Sequence, residues 1–171
     1  MVLRKLIVGL LLVAIASGSQ QSFAQHRKAP FLEQVIRGVD AITRDQPQRA
    51  IAYFAAALMQ KKESRLDVLV GLAALSAKKP KLATAKLERA IRKGVNSADV
   101  LYWAARAQLA RGDVKAALSR VEQAVAIAPK NPTLLVGYAL IAKRAKRSNI
   151  AREQLARLVV RLPHLRDVRL Y

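Results

Sequence analysis

The feature that most limits what this chain can become is a recurrence spaced by 34 residues. In the stretch GDVKAALSRVEQAVAIAP, Ala117, Val121, Ala124 and Pro129 mark the pattern. Thirty-four residues further on stand Ala151, Leu155, Leu158 and Pro163, and thirty-four residues back stand Ala83, Leu87, Ala90 and Val95. A further 33 residues back come Ala50, Phe54 and Ala57. A second series of small residues, Gly38, Gly71, Ala105 and Ala139, keeps step with the first. Self-similarity at this period marks stacked supersecondary units, each of which buries its apolar face on its neighbours.

Inside each unit the apolar spacing is helical. Val114, Ala117, Leu118, Val121, Ala124, Val125 and Ala128 form one stripe of a helix. Composition supports close helix packing: there are 31 alanines, aromatics are 5% of the chain, and alanine at a crossing lets two backbones approach. The breaks between stripes carry turn and cap chemistry. Asp113 after Gly112 is an expected N-cap, as is Asp45 before Pro47. Asn131-Pro132 supplies a cap and a first-turn proline, and Ser64 with Asp67 three residues on has the form of a capping box. Lys79-Pro80 and Arg92-Lys93-Gly94 read as turns. The pattern predicts helices at about 32–44, 47–61, 65–77, 80–93, 98–110, 114–127, 132–145 and 149–162, with no segment that alternates like a strand.

These residues resemble the tetratricopeptide repeat family, whose unit carries small residues at its positions 8 and 20, a bulky apolar residue at 24, a small one at 27 and proline at 32. The resemblance runs from Phe31 to Pro163, as units of about 31–63, 64–97, 98–131 and 132–163. Departures exist: the tryptophan favoured at position 4 is replaced by Gln34, Asp67, Leu101 and Leu135, and the proline is missing from the first two units. The resemblance implies an all-α solenoid of about four antiparallel helix pairs, a right-handed superhelix, with a tail at 164–171. It also implies that the first helix of each pair lines a groove that holds a protein or peptide.

On that implication the groove positions are apolar in the first two units and end in cations. Tyr102, Arg106, Lys143 and Arg144 are the candidate partner-binding residues, with Arg65 and Leu72 as outer support. Val35, Val39, Val68 and Leu72 have a simpler alternative role, packing against neighbouring helices. Arg106 and Tyr102 are the better candidates, since neither is needed to pack small helices. An apolar groove with a basic end suits an extended or helical peptide with acidic groups. The family's grooves that clamp a terminal carboxylate use a fuller basic set than this row contains.

The first 24 residues have the layout of a secretory signal. Arg4 and Lys5 precede the apolar run Leu6–Ala16, and Ser22-Phe23-Ala24 fits a cleavage site. The run is short for a membrane span, which needs about 20 residues, so cleavage after Ala24 is expected over an uncut anchor in the inner membrane. Residues 25–30 make a short lead. The mature chain is thus expected in the periplasm or outside the cell.

Lysine and arginine total 31 against 11 acids, a net charge of +20. The signal takes only Arg4 and Lys5 with it, leaving 29 against 11, or +18. Runs such as Lys78-Lys79-Lys81, Lys86-Arg89-Arg92-Lys93 and Lys143-Arg144-Lys146-Arg147 fall at helix ends, where cations complement the dipole. The excess points further, to an acidic protein partner or, alternatively, to an anionic polymer such as a cell-wall polysaccharide, or to lipid headgroups. The export signal and the lack of aromatics interleaved with cations argue against nucleic acid. With no cysteine, two histidines near the chain ends, and no phosphate loop or hydrolase motif, the sequence offers no catalytic, metal or cofactor set, and a small-molecule substrate is not expected. The expectation is a non-enzymatic adaptor.

Overall fold

The computed structural model describes residues 30–161. The signal segment, nearly all of the lead, and the tail, with His26 and His164, lie outside them. Among the described residues eight α-helices follow one another: α1 Pro30–Thr43, α2 Pro47–Gln60, α3 Ser64–Ser76, α4 Pro80–Arg92, α5 Ala98–Ala110, α6 Val114–Ile127, α7 Pro132–Arg144 and α8 Ser148–Arg161. Each lies within two residues of its expected bounds. Among the described residues no strand is present, and no helix is long and apolar enough to cross a membrane.

The ends of the odd-numbered helices repeat as closely as the sequence does. Asp45, Lys78, Gly112 and Lys146, at intervals of 33 or 34, all have positive φ (57°, 55°, 88° and 58°). Each closes the same turn. Lys146 N–H donates to Lys143 O at 3.0 Å and Arg147 N–H to Ala142 O at 2.9 Å, and the matching pairs recur after α1, α3 and α5. This is the Schellman arrangement, which satisfies the last free carbonyls and reverses the chain so that the next helix runs antiparallel.

The helix starts are less uniform. Asp113 accepts from Ala116 N–H and Asn131 from Thr133 N–H, as expected. Ser97 does the same for Val100 N–H. Two expected caps are corrected. Asp45 is the left-handed residue that ends α1, and Gln46 is the N-cap of α2, without a side-chain bond. Ser64 lies inside α3 rather than capping it, and Asp67 is fully buried instead of turning back on the helix start. Its carboxylate meets Arg89 Nε of α4 at 2.8 Å, with Lys86 Nζ at 3.9 Å. Two cations from a neighbouring helix outcompete one backbone N–H, and the first turn of α3 favours the negative charge.

The described chain divides into two units, with the boundary between Arg89 and Ala90. In the first, α1 packs on α2 and α2 on α3. A Cβ at Gly38 would overlap the Phe54 ring, and one at Gly71 would lie 2.6 Å from Leu87 Cγ. The small residue at unit position 8 therefore receives the bulky one at position 24. In the second unit the same pairs, Ala105 with Val121 and Ala139 with Leu155, belong to one apolar cluster with Ala117, Ile141 and Ala142. A second cluster gathers Leu101, Ala124, Val125, Leu134, Leu135 and Leu158. The described chain is an all-α helical repeat.

Candidate partner-binding site

The first unit contributes less than the sequence suggests. Arg65 is exposed in the first turn of α3. Leu72 is 3% exposed, inside a run from Leu66 to Ala74 in which every residue is buried. A helix buried all round has neighbours on more than one side. Leu72 is thus core rather than partner surface, and so are Val35 and Val68.

In the second unit, α5 and α7 carry the remaining candidates. Tyr102 is half-buried and touches both apolar clusters. A Cβ at Gly137 would overlap its ring, with Cζ and the hydroxyl oxygen 2.7 Å away. Tyr102 therefore helps to seat α5 on α7, and the expectation that packing does not need it is corrected. One turn later Arg106 stands exposed, its guanidinium carbon 5.0 Å from the centre of the buried Trp103 ring. That ring face steadies the cation without neutralising it.

Beyond Arg106 a cleft of about 630 Å³ opens, lined by Leu109 of α5 and by Leu140, Lys143, Arg144 and Lys146. Its chemistry follows from how α7 is used. Leu134, Leu135, Ile141 and Ala142 face the core, which leaves Val136 and Leu140 outward, 39% and 59% exposed. Lys143 and Arg144 complete the last turn of α7, where cations oppose the helix dipole. A second cleft, of about 350 Å³, lies beside the start of α6, lined by Val114, Lys115, Leu118, Arg144, Ala145, Lys146 and Arg147. Arg144 and Lys146 line both clefts. Among the described residues no acid lines either one.

Of the six residues singled out from the sequence, Lys143 and Arg144 thus share a cleft, Arg106 stands one turn from its Leu109 wall, and Tyr102 is a packing residue. Leu109 and Leu140 stand on groove positions of their helices, whereas Lys115 and Lys146 are cleft residues that those positions do not include. The signal for Lys146 is its spacing of 34 from Gly112, which makes it the pivot of the repeat turn. On the far edge of α7, Tyr138 donates to Glu122 Oε1 of α6 at 3.0 Å. Partial burial first, and that bond second, push the Tyr138 phenol up to about 12. It stays neutral at ordinary pH and ties α6 to α7.

No protein-family model matches the chain, and no curated protein matches it in sequence. Solved structures do resemble it. MamA, residues 41 to the end, from Desulfovibrio magneticus RS-1 superposes with a TM-score of 0.74 at 18% identity, over 96% of this chain and 97% of that one. A crystal structure of MamA protein gives 0.71 at 15% identity, over 82% and 78%. A tetratricopeptide repeat protein from Parabacteroides merdae gives 0.69 at 14% identity, over 76% of this chain and 52% of the other. At these identities the likeness is one of fold, and the fold is that of tetratricopeptide repeats.

Proposed function

We propose that this protein is an exported, non-enzymatic adaptor that holds a protein partner in the bacterial envelope. The partner surface it takes is acidic, and it docks on the first-helix face of the second unit. The observation that carries this reading is the cleft in which Leu109 and Leu140 form an apolar wall and Lys143, Arg144 and Lys146 a cationic one. Such a lining offers area to apolar side chains and charge-assisted bonds to carboxylates. The fold supports it, because helical-repeat surfaces are extended and suit protein segments. The secretory layout of residues 1–24 supports the envelope location.

The test is capture from a native envelope extract, with the protein recovered from the same fraction as bait and its N-terminus read by mass spectrometry. The expected result is a chain that begins at Gln25 and holds a discrete acidic protein through a high-salt wash. Arg106→Glu should lose that protein while keeping its helical signal. Capture by a folded Arg106→Glu variant at the wild-type level would remove Arg106 from the site. A second reading, binding of an anionic polymer, is favoured by the exposed Lys78, Lys79, Lys81, Arg92 and Lys93, none of which lines either cleft. It expects mixed acidic material that washes off at high salt.

A further inference from the structure

Two clefts meet at the turn between α7 and α8, and they differ in what they adjoin. One opens between Leu109 of α5 and Leu140 of α7, and the other lies against Val114 and Leu118 of α6. Because Arg144 and Lys146 line both, the clefts share a cationic border. We infer that an extended acidic peptide segment of the partner occupies both clefts at once, crossing the α7–α8 turn over Arg144 and Lys146. This rests on the protein-partner reading above and gives the partner segment a path and a composition.

The order of the linings gives that composition. Leu109 and Leu140 come first, then the cations, then Val114, Leu118 and Ala145 flanked by Lys115 and Arg147. The complement is a segment with acidic residues in the middle and apolar residues on both sides. In an extended chain every second side chain faces the same way, so the residues that meet this surface should read apolar, acidic, apolar along the path. The turn that carries the shared cations is held by its own backbone bonds, Lys146 N–H to Lys143 O and Arg147 N–H to Ala142 O. The backbone under the cations is thus set before the ligand arrives, which lowers the ordering cost of binding. The floors also argue for a peptide over a bilayer. Leu109 and Val114 are half-buried, so side chains can reach them from a narrow segment but a flat headgroup layer cannot.

The experiment uses the purified protein and a fluorescein-labelled dodecapeptide of six aspartates between two runs of three leucines, with an asparagine version as the neutral control, read by anisotropy. Lys143→Glu alters only the first cleft and Lys115→Glu only the second. Both are exposed, and glutamate at 115 suits the start of α6. Lys130→Glu makes the same charge change on the exposed α6–α7 turn, outside both clefts. The expected result is that each cleft variant weakens the aspartate peptide by roughly tenfold, the scale of one lost charge-assisted bond. The Lys130→Glu variant and the wild type should agree within about twofold, the neutral peptide should bind weakly throughout, and circular dichroism should show every variant helical. If Lys143→Glu weakens binding and Lys115→Glu does not, the second cleft is unused and the path is wrong, although the partner reading survives. If neither matters, both readings fail. Equal loss in Lys130→Glu would replace the path with a diffuse field. Phosphatidylglycerol vesicles that bind with Lys115 sensitivity, where the peptide does not, would put lipid in its place.

Discussion

The absence of one methyl group at Gly137 decides what Tyr102 does. The ring of Tyr102 lies where an alanine side chain at 137 would be, and it reaches both apolar clusters of the second unit. Gly137→Ala should therefore destabilise the protein by about 1–3 kcal/mol, the usual range for overpacking, as measured by urea unfolding. In the Tyr102→Ala background the same substitution should cost much less, since the clash has gone. Equal costs in the two backgrounds would show that the ring does not seat on Gly137. Side-chain roles of this kind are hard to see in the sequence. Spacing shows that Tyr102, Leu72 and Val68 share the groove face of their helices, but not which parts of that face are covered by other side chains. Glycine at 137 is the available signal for Tyr102, and it lies outside the repeat's own series of small residues. Asp67 is opaque for a related reason. Three-residue spacing from Ser64 suggests a local cap, while its partners Arg89 and Lys86 lie about twenty residues away on another helix.

Elements are far more legible, because their limits are set by short-range chemistry that repeats. Four turns share one left-handed position, occupied by Asp45, Lys78, Gly112 and Lys146. Only the third has the residue that adopts this conformation without a steric cost. The series allows a test with opposite signs. At Gly112, where a Cβ would meet nothing within 4 Å, Gly112→Ala should lose about 1 kcal/mol purely from backbone conformation. Lys78→Gly should gain roughly 0.5 kcal/mol, because the relief of left-handed strain exceeds the extra chain entropy of glycine. Urea midpoints for the two variants would check both signs, and a destabilised Lys78→Gly would mean that the lysine side chain holds the turn by a contact of its own. The sequence locates two of these turns through Lys79-Pro80 and Gly112-Asp113, and it misplaces the cap by one residue at Asp45-Gln46. There the aspartate resembles a cap, but the left-handed turn needs the same position, and aspartate is among the residues that tolerate it.

At the scale of the whole molecule charge dominates, and salt should act on stability and on binding in opposite directions. Eleven acids can neutralise at most eleven of the 31 cations, so twenty positive charges remain however the pairs are arranged. The exposed pairs that form within or beside helices, Glu33 with Arg37, Asp40 with Arg44 and Lys61 with Glu63, are each worth a few tenths of a kcal/mol to about 1 kcal/mol at best. The unpaired excess repels itself, and that repulsion is relieved as the chain unfolds and the charges separate. Raising salt shortens the screening length from roughly 30 Å at 0.01 M to about 8 Å at 0.15 M, which removes more repulsion between distant cations than attraction within close pairs. The thermal midpoint should therefore rise by several degrees over that range. The same screening weakens the attraction of Lys143, Arg144 and Lys146 for an acidic segment, so affinity for the leucine–aspartate peptide should fall several-fold over the same interval. Calorimetry and anisotropy on one salt series would read the two trends together. If stability stayed flat while affinity fell, the cations would be spaced too widely to strain the fold, and their number would have to be explained by what they bind. If both fell, close ion pairs such as Asp67 with Arg89 would outweigh the repulsion, and the excess charge would be structurally neutral. A rising midpoint with falling affinity would mean that the chain gives up stability to keep a positive surface, which fits a protein whose partner supplies the missing negative charge.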